Sequence, residues 1–212
     1  DQAGSREVQE AYNKKDLDFH QQTAEMAGVE RRLAKTIGLG VMYGMGYNKL
    51  ARELDLDPRE AKAMLQDFHT KVPFMKGMLE IVMNRANNKG VIRTLLGRKC
   101  RFDLWEPTSW GVHRALPLNQ AQSEYGMAIK RAGTYKALNR LIQGSAADQT
   151  KRAMVNVYDE LGIIPHIQVH DELNCSVKDE NEGKKVKEVM ENCVKLEVPS
   201  KVDINVGESW GG

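Results

Sequence analysis
The sequence lacks the features that mark disulfide-framed, zinc-scaffolded or membrane-spanning proteins. Its 212 residues include only three cysteines, Cys100, Cys175 and Cys193. Their number is odd and their spacing fits no zinc ligand set, so free thiols in a reducing cytoplasm are expected. No apolar run approaches the roughly 20 residues needed to cross a bilayer. No charged stretch followed by an apolar one marks a signal peptide. The chain also starts at Asp1 rather than Met, so a processed, truncated or excised piece of something longer is expected.

Large net charge is missing too. The formal charge is +2, which by itself points to no partner, but its distribution is uneven. Between Arg85 and Arg140 eleven Lys or Arg face three acids, and between Asp171 and Glu197 eight acids face five Lys. A basic middle suits a phosphate backbone, whose condensed counterions it would release. A solvated surface accounts for the same charges equally well.

The periodicity predicts an α+β fold. Residues 1–25 are polar and poorly periodic, as at a frayed or partner-dependent edge. A helix is expected over 29–43, ended by Gly44 and Gly46. Asp57 and Pro58 should open another helix to about residue 70, proline at the first position losing no hydrogen bond. A further helix follows Pro73 to about 87, and Asn88-Lys89-Gly90 is a turn. Residues 91–103 read as a short hairpin around Gly97, and DLWEPTSWGVHRALPL as irregular. A long helical region is expected over about 119–160, bent or broken near Gly133 and Gly144. Apolar residues then alternate at 167 and 169 and at 173, 175 and 177, with Asp171 and Glu172 between the two runs. That pattern is a β-hairpin with carboxylates at its tip. A charged helix (about 180–195) and a last strand (about 201–206) complete the order.

One helical stripe carries recognisable chemistry. Arg31, Lys35, Leu39 and Tyr43 recur every four residues, so they drift across about 120° of one face. Two cations near a helix N-terminus, followed by an apolar residue and a phenol, could hold phosphates and then a sugar and base. An ordinary amphipathic helix with solvated cations has the same spacing. Gly38 and Gly40 inside it each cost about 1 kcal/mol relative to Ala, which suggests that a neighbour or ligand approaches bare backbone there.

Four ordered blocks narrow the choice. RRLAKTIGLGVMYGMG (31–46) resembles motif B of family A DNA polymerases, R-x3-K-x7-YG. DFHQQTAEMAG (18–28) resembles the family's D-x-H-x-x-TA segment, and QVHDEL (168–173) its motif C. LNRLIQGSAADQTKRAM (138–154) is similar to the family's N-x3-QG-x-AAD helix, and VDINVGESWGG to a family C-terminus. The resemblance implies the C-terminal part of a right-hand polymerase of the bacterial polymerase I type, with phage-like features, working in a bacterial or phage-infected cytoplasm. It implies fingers over 1–90 with a nucleotide-binding helix at 29–45, a connection over 91–162, and palm over 163–212 with the motif C hairpin.

Residue by residue, the resemblance implies that Arg31 and Lys35 grip the phosphates of the incoming dNTP, with His20 touching the triphosphate. Lys35 is also the candidate general acid for the departing pyrophosphate. Tyr43 would sit by the nascent base pair. Asp171 would be a metal ligand with Glu172 in support, and His170 would lie near the primer terminus. Asn139 and Gln143 would reach the template or the minor groove, reading acceptors common to correct pairs. Without the resemblance these residues read as solvated turn or helix-face side chains. Two positions depart from the family. Leu39 stands where an aromatic ring is usual, which should weaken stacking on the sugar. Tyr135 stands where bacterial relatives tend to have Arg, so primer contacts cannot be carried over to it.

The family's reaction uses two Mg²⁺ ions, bridged by carboxylates from two separate segments. The second segment, motif A, typically D-Y-S-x-x-E-x-R, does not occur here; residues 1–17 read DQAGSREVQEAYNKKDL. The resemblance therefore implies dependence on an N-terminal partner segment or chain carrying thumb and motif A, beside primer-template DNA and dNTPs. The lone chain is expected to be inactive. A metal-dependent nuclease would need more clustered acids or histidines than the single Asp171-Glu172 pair. A non-catalytic DNA-binding or processivity module would leave the 31–43 stripe unexplained. His166 and His170 as zinc ligands lack any suitable cysteine partner.

Overall fold
A computed structural model describes residues 6–14, 18–109, 111 and 114–209. The chain divides into two compact units, one built mainly of residues 16–142 and the other of 9–15 and 143–212. The helices and small antiparallel sheets match the α+β expectation.

Helix α1 (Arg6–Lys14) is followed by α2 (Phe19–Ala27), so part of the segment expected to be frayed is helical. The reason is a cap. Asp18 accepts from the backbone N–H groups of His20 and Gln21, satisfying donors that a polar, weakly periodic sequence would otherwise leave open. Helix α3 (Arg31–Met42) buries Ala34, Ile37, Gly38 and Val41 and packs on α2 and on α6 (Pro73–Lys89). Between them lie α4 (Tyr47–Leu54), which the periodicity does not reveal, and α5 (Pro58–Lys71). The α5 start is as expected, with Asp57 and Glu60 forming a reciprocal capping box and Pro58 inside the first turn.

Strands β1 (Val91–Arg93) and β2 (Lys99–Arg101) form the expected hairpin, with Ile92 opposite Cys100. Ile92 and Phe102 are buried with Ala86 and Ala137 in one cluster. The stretch expected to be irregular contains β3 (Leu104–Pro107) and β4 (Leu116–Pro117). The expected long helical region is divided into α7 (Leu118–Tyr125), β5 (Ile129–Arg131), a 3₁₀ turn (Thr134–Lys136) and α8 (Ala137–Leu161). These strands form one antiparallel sheet in the order β4-β3-β5. Each strand is two to four residues long, too short for alternation to register in the sequence. Gly144 does not interrupt α8, so the break falls before the helix and not inside it.

In the second unit, β6 (Pro165–Val169) and β7 (Glu172–Cys175) pair with Val169 opposite Glu172 and Gln168 opposite Leu173. Val157, Ile163 and Val186 form the core there, the last from α9 (Glu180–Asn192), with Cys175, Val177 and Met190 packed around them. The last strand expected over 201–206 is not formed; residues 201–207 carry no ladder. That segment instead lies against α9. The Val202 N–H donates to Glu191 Oε1 at 2.9 Å, and Ile204 comes so close to Gly183 that a Cβ there would meet it at 2.9 Å.

Gly38 and Gly44 differ in what a side chain would meet. A methyl on Gly38 would make ordinary contact with Met75 Cε at 3.5 Å, so no close approach requires this glycine. Gly44 has φ +72°, and a Cβ there would sit 2.6 Å from the Tyr135 carbonyl oxygen. Gly38→Ala should therefore raise the thermal midpoint by about 2–4 °C through helix propensity, while Gly44→Ala lowers it. Circular-dichroism melts check this; a loss at Gly38 as large as at Gly44 would contradict the packing described.

Candidate active site
Helix α3 has two chemically distinct faces. The buried stripe of Ala34, Ile37, Gly38 and Val41 follows the i, i+3, i+4, i+7 rule of a core-facing helix. Arg31, Lys35 and Tyr43 are exposed and Leu39 is half-buried. The buried stripe is centred about 130° around the helix from this second set, at about 100° per residue. Packing one face thus fixes where the cations and the phenol point. Tyr43 ends the helix and is 49% exposed. Gly40 is tight for a nearby reason, since a Cβ there would overlap Met45 Cε.

At the N-terminal end of α3, charge converges from two helices. Asp18 Oδ2 accepts from Arg31 Nε at 2.8 Å and Nη2 at 2.5 Å. The same carboxylate caps α2, so one side chain fixes both the start of α2 and the direction of the Arg31 guanidinium. The hydrogen bond from Arg31 holds the Asp18 carboxyl below the usual carboxylate range, helped by the backbone N–H of Gln21. The Nη1 side of the guanidinium is not used in this pair. His20, second residue of α2, has its imidazole pKa lowered, first by burial, with the Lys35 and Arg31 charges adding to the effect and Asp18 opposing it. His20, Arg31 and Lys35 therefore share one electrostatic neighbourhood. No side chain caps the α3 N-terminus at Glu30, so the positive end of the helix dipole adds to that field. Asp18 was not foreseen as part of the site. Its cap was legible from an Asp just before a helical run, but its pairing across 13 residues was not.

In the second unit, His170 and Asp171 form the two-residue turn between β6 and β7, and Glu172 opens β7. Both carboxylates are exposed at the hairpin tip, as expected. His170 has φ +53°, a left-handed conformation that costs a non-glycine residue about 1–2 kcal/mol. Its carbonyl accepts from Gln168 Nε2 at 2.5 Å, and Asn174 Nδ2 donates to Glu172 Oε1 at 3.1 Å. Asn139 and Gln143 both lie on α8, half-buried and exposed respectively. The boundary between the two units falls between them. The α3 group and the hairpin group belong to different units.

For a divalent cation the hairpin offers Asp171 and Glu172 alone. Among the described residues no three His, Cys, Asp or Glu side chains cluster as a metal site. The pair has the right oxygen chemistry for Mg²⁺ but too few ligands to hold it unaided.

The model for DNA polymerase family A matches residues 2–212. The chain is 38% identical to a DNA-directed DNA polymerase of Pseudomonas phage M6, over 94% of this chain and 32% of the relative. It is 33% identical to the thermostable DNA polymerase I of Thermus filiformis, over 91% of this chain and 23% of that one. The POL domain of Pol1 from M. smegmatis, solved in complex with DNA primer-template and dNTP, superposes with a TM-score of 0.70 at 29% identity. That match covers 91% of this chain and 34% of the solved one. The chain thus spans about a third or less of the length of these relatives. The helical and small-sheet architecture is that of a right-hand polymerase.

If the Arg31 bond is what depresses the Asp18 carboxyl, Arg31→Ala should return its titration toward the ordinary range. Because the folded pKa is lowered, the pair's stabilisation is complete above the unfolded pKa and is lost as pH falls through the folded one. Carboxyl-carbon NMR titration of both proteins reads this, and an unmoved Asp18 midpoint would contradict the assigned cause.

Proposed function
The chain belongs to DNA polymerase family A, and on that premise we propose that it supplies the fingers and the C-terminal palm of an enzyme that adds dNTPs to a primer 3′ end. The observation that carries this reading is the convergence of His20, Arg31 and Lys35 at one end of the exposed α3 face, with Tyr43 at the other. A triphosphate needs clustered cations, and a base pair needs a flat ring beyond them. The α3 face presents these in that order.

The roles are those that the family resemblance implies for these residues. The primer 3′ oxygen attacks the α-phosphorus, the bond to pyrophosphate breaks, and the hydroxyl proton leaves to solvent. Lys35 protonates the departing pyrophosphate, while Arg31 balances its charge and stays oriented through Asp18. An arriving triphosphate partly cancels the Arg31 and Lys35 charges and raises the His20 pKa, so that His20 can donate to a phosphate oxygen. Leu39 contributes apolar contact to the sugar, and Tyr43 flanks the templating position. His170 contacts the primer terminus, and Asn139 and Gln143 contact the DNA beyond it. Mg²⁺, when bound through Asp171 with Glu172 in support, supplies activation of the 3′ hydroxyl and neutralises the triphosphate. In this reading residues 1–90 act as fingers, 91–162 as connection and 163–212 as palm.

The ligand set at the hairpin must be completed by a carboxylate from an upstream segment. The hairpin supports that dependence independently. It is a two-stranded sheet, marginal alone, and it leaves Ile167 and Val169 43% and 38% exposed. Both residues pair with polar partners, Asn174 and Glu172, and among the described residues neither belongs to that unit's apolar cluster. A palm segment bearing the second carboxylate is the proposed cover, with primer-template DNA and dNTPs as the remaining partners.

Primer extension tests the proposal. The chain alone should extend a primer negligibly in Mg²⁺. Adding a polypeptide with thumb and motif A should restore synthesis, and Lys35→Ala should then lower it by about 10²–10⁴-fold. Robust Mg²⁺-dependent synthesis by the lone chain would refute the shared site, and insensitivity to Lys35→Ala would refute the role of α3.

A further inference from the structure
Among the described residues two that are not glycine have a left-handed backbone, Asp55 at φ +52° and His170 at φ +53°. Asp55 ends α4, where a left-handed residue is the ordinary helix stop. His170 has no such setting. We propose that Gln168 is a positioning residue that latches the strained turn at His170 and thereby fixes Asp171 as a metal ligand. This rests on the polymerase reading and extends it to a side chain outside the proposed metal and DNA contacts.

The type of turn determines where the strain falls. A two-residue hairpin loop matches the twist of its strands when the first central residue, or both, have positive φ. When only the first does, as here, that position favours glycine and the second takes an ordinary negative φ. His170 stands at the glycine position and Asp171 at the ordinary one. Were His170 to relax to negative φ, the loop would pass to a form that splays the strands. The direction of the Asp171 side chain would change with it.

One bond opposes that relaxation. Gln168 Nε2 donates to the His170 carbonyl at 2.5 Å, reaching from β6 across the strained residue. Gln168, His170, Asp171 and Glu172 are all exposed, so burial does not hold the tip and hydrogen bonds must. The net worth of such a bond and the cost of a left-handed residue are of the same order, so losing the bond is enough to shift the turn. Glutamine suits the task because its amide donates without adding charge beside two carboxylates. Glutamate has no donor, and lysine would compete for Asp171 and Glu172 as a cation. On the facing strand Asn174 Nδ2 donates to Glu172 Oε1 at 3.1 Å. The two amides restrain the two sides of the tip, one through the backbone and one through a carboxylate.

The test uses Gln168→Met in the full chain, which keeps the length of the side chain and removes the donor. Proton NMR reads the turn without metal or DNA, because the intraresidue NOE between amide and Hα is strong only at positive φ. Residue 170 should show a strong NOE in the wild type and a weakened one in Gln168→Met, while unchanged α9 amides show that the unit stays folded. Mn²⁺ titration by electron paramagnetic resonance, with an upstream polypeptide containing motif A, reads the consequence. Gln168→Met should weaken binding by about tenfold, at the lower end for loss of a partner that orients a metal ligand. The same change should have no effect in the His170→Gly background, since glycine adopts the turn without a latch. A strong NOE retained by Gln168→Met overturns the latch. A loss of Mn²⁺ affinity that His170→Gly does not abolish also overturns it, and would place Gln168 on the metal or the partner directly. If the wild-type mixture binds Mn²⁺ no tighter than the lone chain, the shared metal site fails, and the NOE alone decides the latch.

Discussion

The proposed two-metal nucleotidyl transfer needs carboxylate oxygens delivered from more than one direction, and the hairpin tip presents only Asp171 and Glu172. Asp171 closes the two-residue turn and Glu172 opens β7, so both carboxylates come from adjacent positions at one end of the hairpin. A small hard cation that demands near-ideal octahedral oxygen ligation is poorly served by such a pair. The exposure of Ile167 and Val169 on β6 is consistent with this shortage. In the proposed reading the first unit has no such shortage, because it is asked only to present charge and a flat surface, and one helix can do both.

That helix works because of its back. Ala34, Ile37, Gly38 and Val41 are small or compact, and they let α3 sit closely on α2 and α6. Once that face is buried, the direction of Arg31, Lys35 and Tyr43 follows from the helical repeat. Asp18 adds a restraint that helical geometry cannot supply, holding one edge of the Arg31 guanidinium and leaving the other open. A flexible arginine would lose more freedom on gripping a phosphate, so orienting it beforehand favours binding. The same carboxylate starts α2 and thereby places His20, which couples the two helices through one residue.

How much was legible in the sequence depended on the length of the pattern. The α3 stripe, the α5 cap at Asp57-Pro58, the β1–β2 turn and the hairpin tip at Asp171 each rest on several residues in a fixed period or on strong turn chemistry, and all formed as expected. The sheet β4-β3-β5 was missed because its strands are too short to show alternation. It is held by contacts distant in sequence, such as Arg131 against Trp105. The strand expected over 201–206 had the right alternation, but Ile204 lies against Gly183 on α9 and the segment forms no ladder. At the site, the cations and carboxylates were visible from their motifs. The Asp18–Arg31 pair and the approach of Tyr135 to Gly44 were not, since both depend on tertiary placement.

The claim that this chain holds an incomplete metal site is tested most directly by Mn²⁺ titration followed by electron paramagnetic resonance, with the chain alone and with an upstream polypeptide containing motif A. The account predicts weak binding by the lone chain, in the millimolar range typical of poorly ligated cation sites, and at least tenfold tighter binding in the mixture that Asp171→Asn removes. Tight binding by the lone chain, or a mixture indifferent to Asp171→Asn, would contradict it.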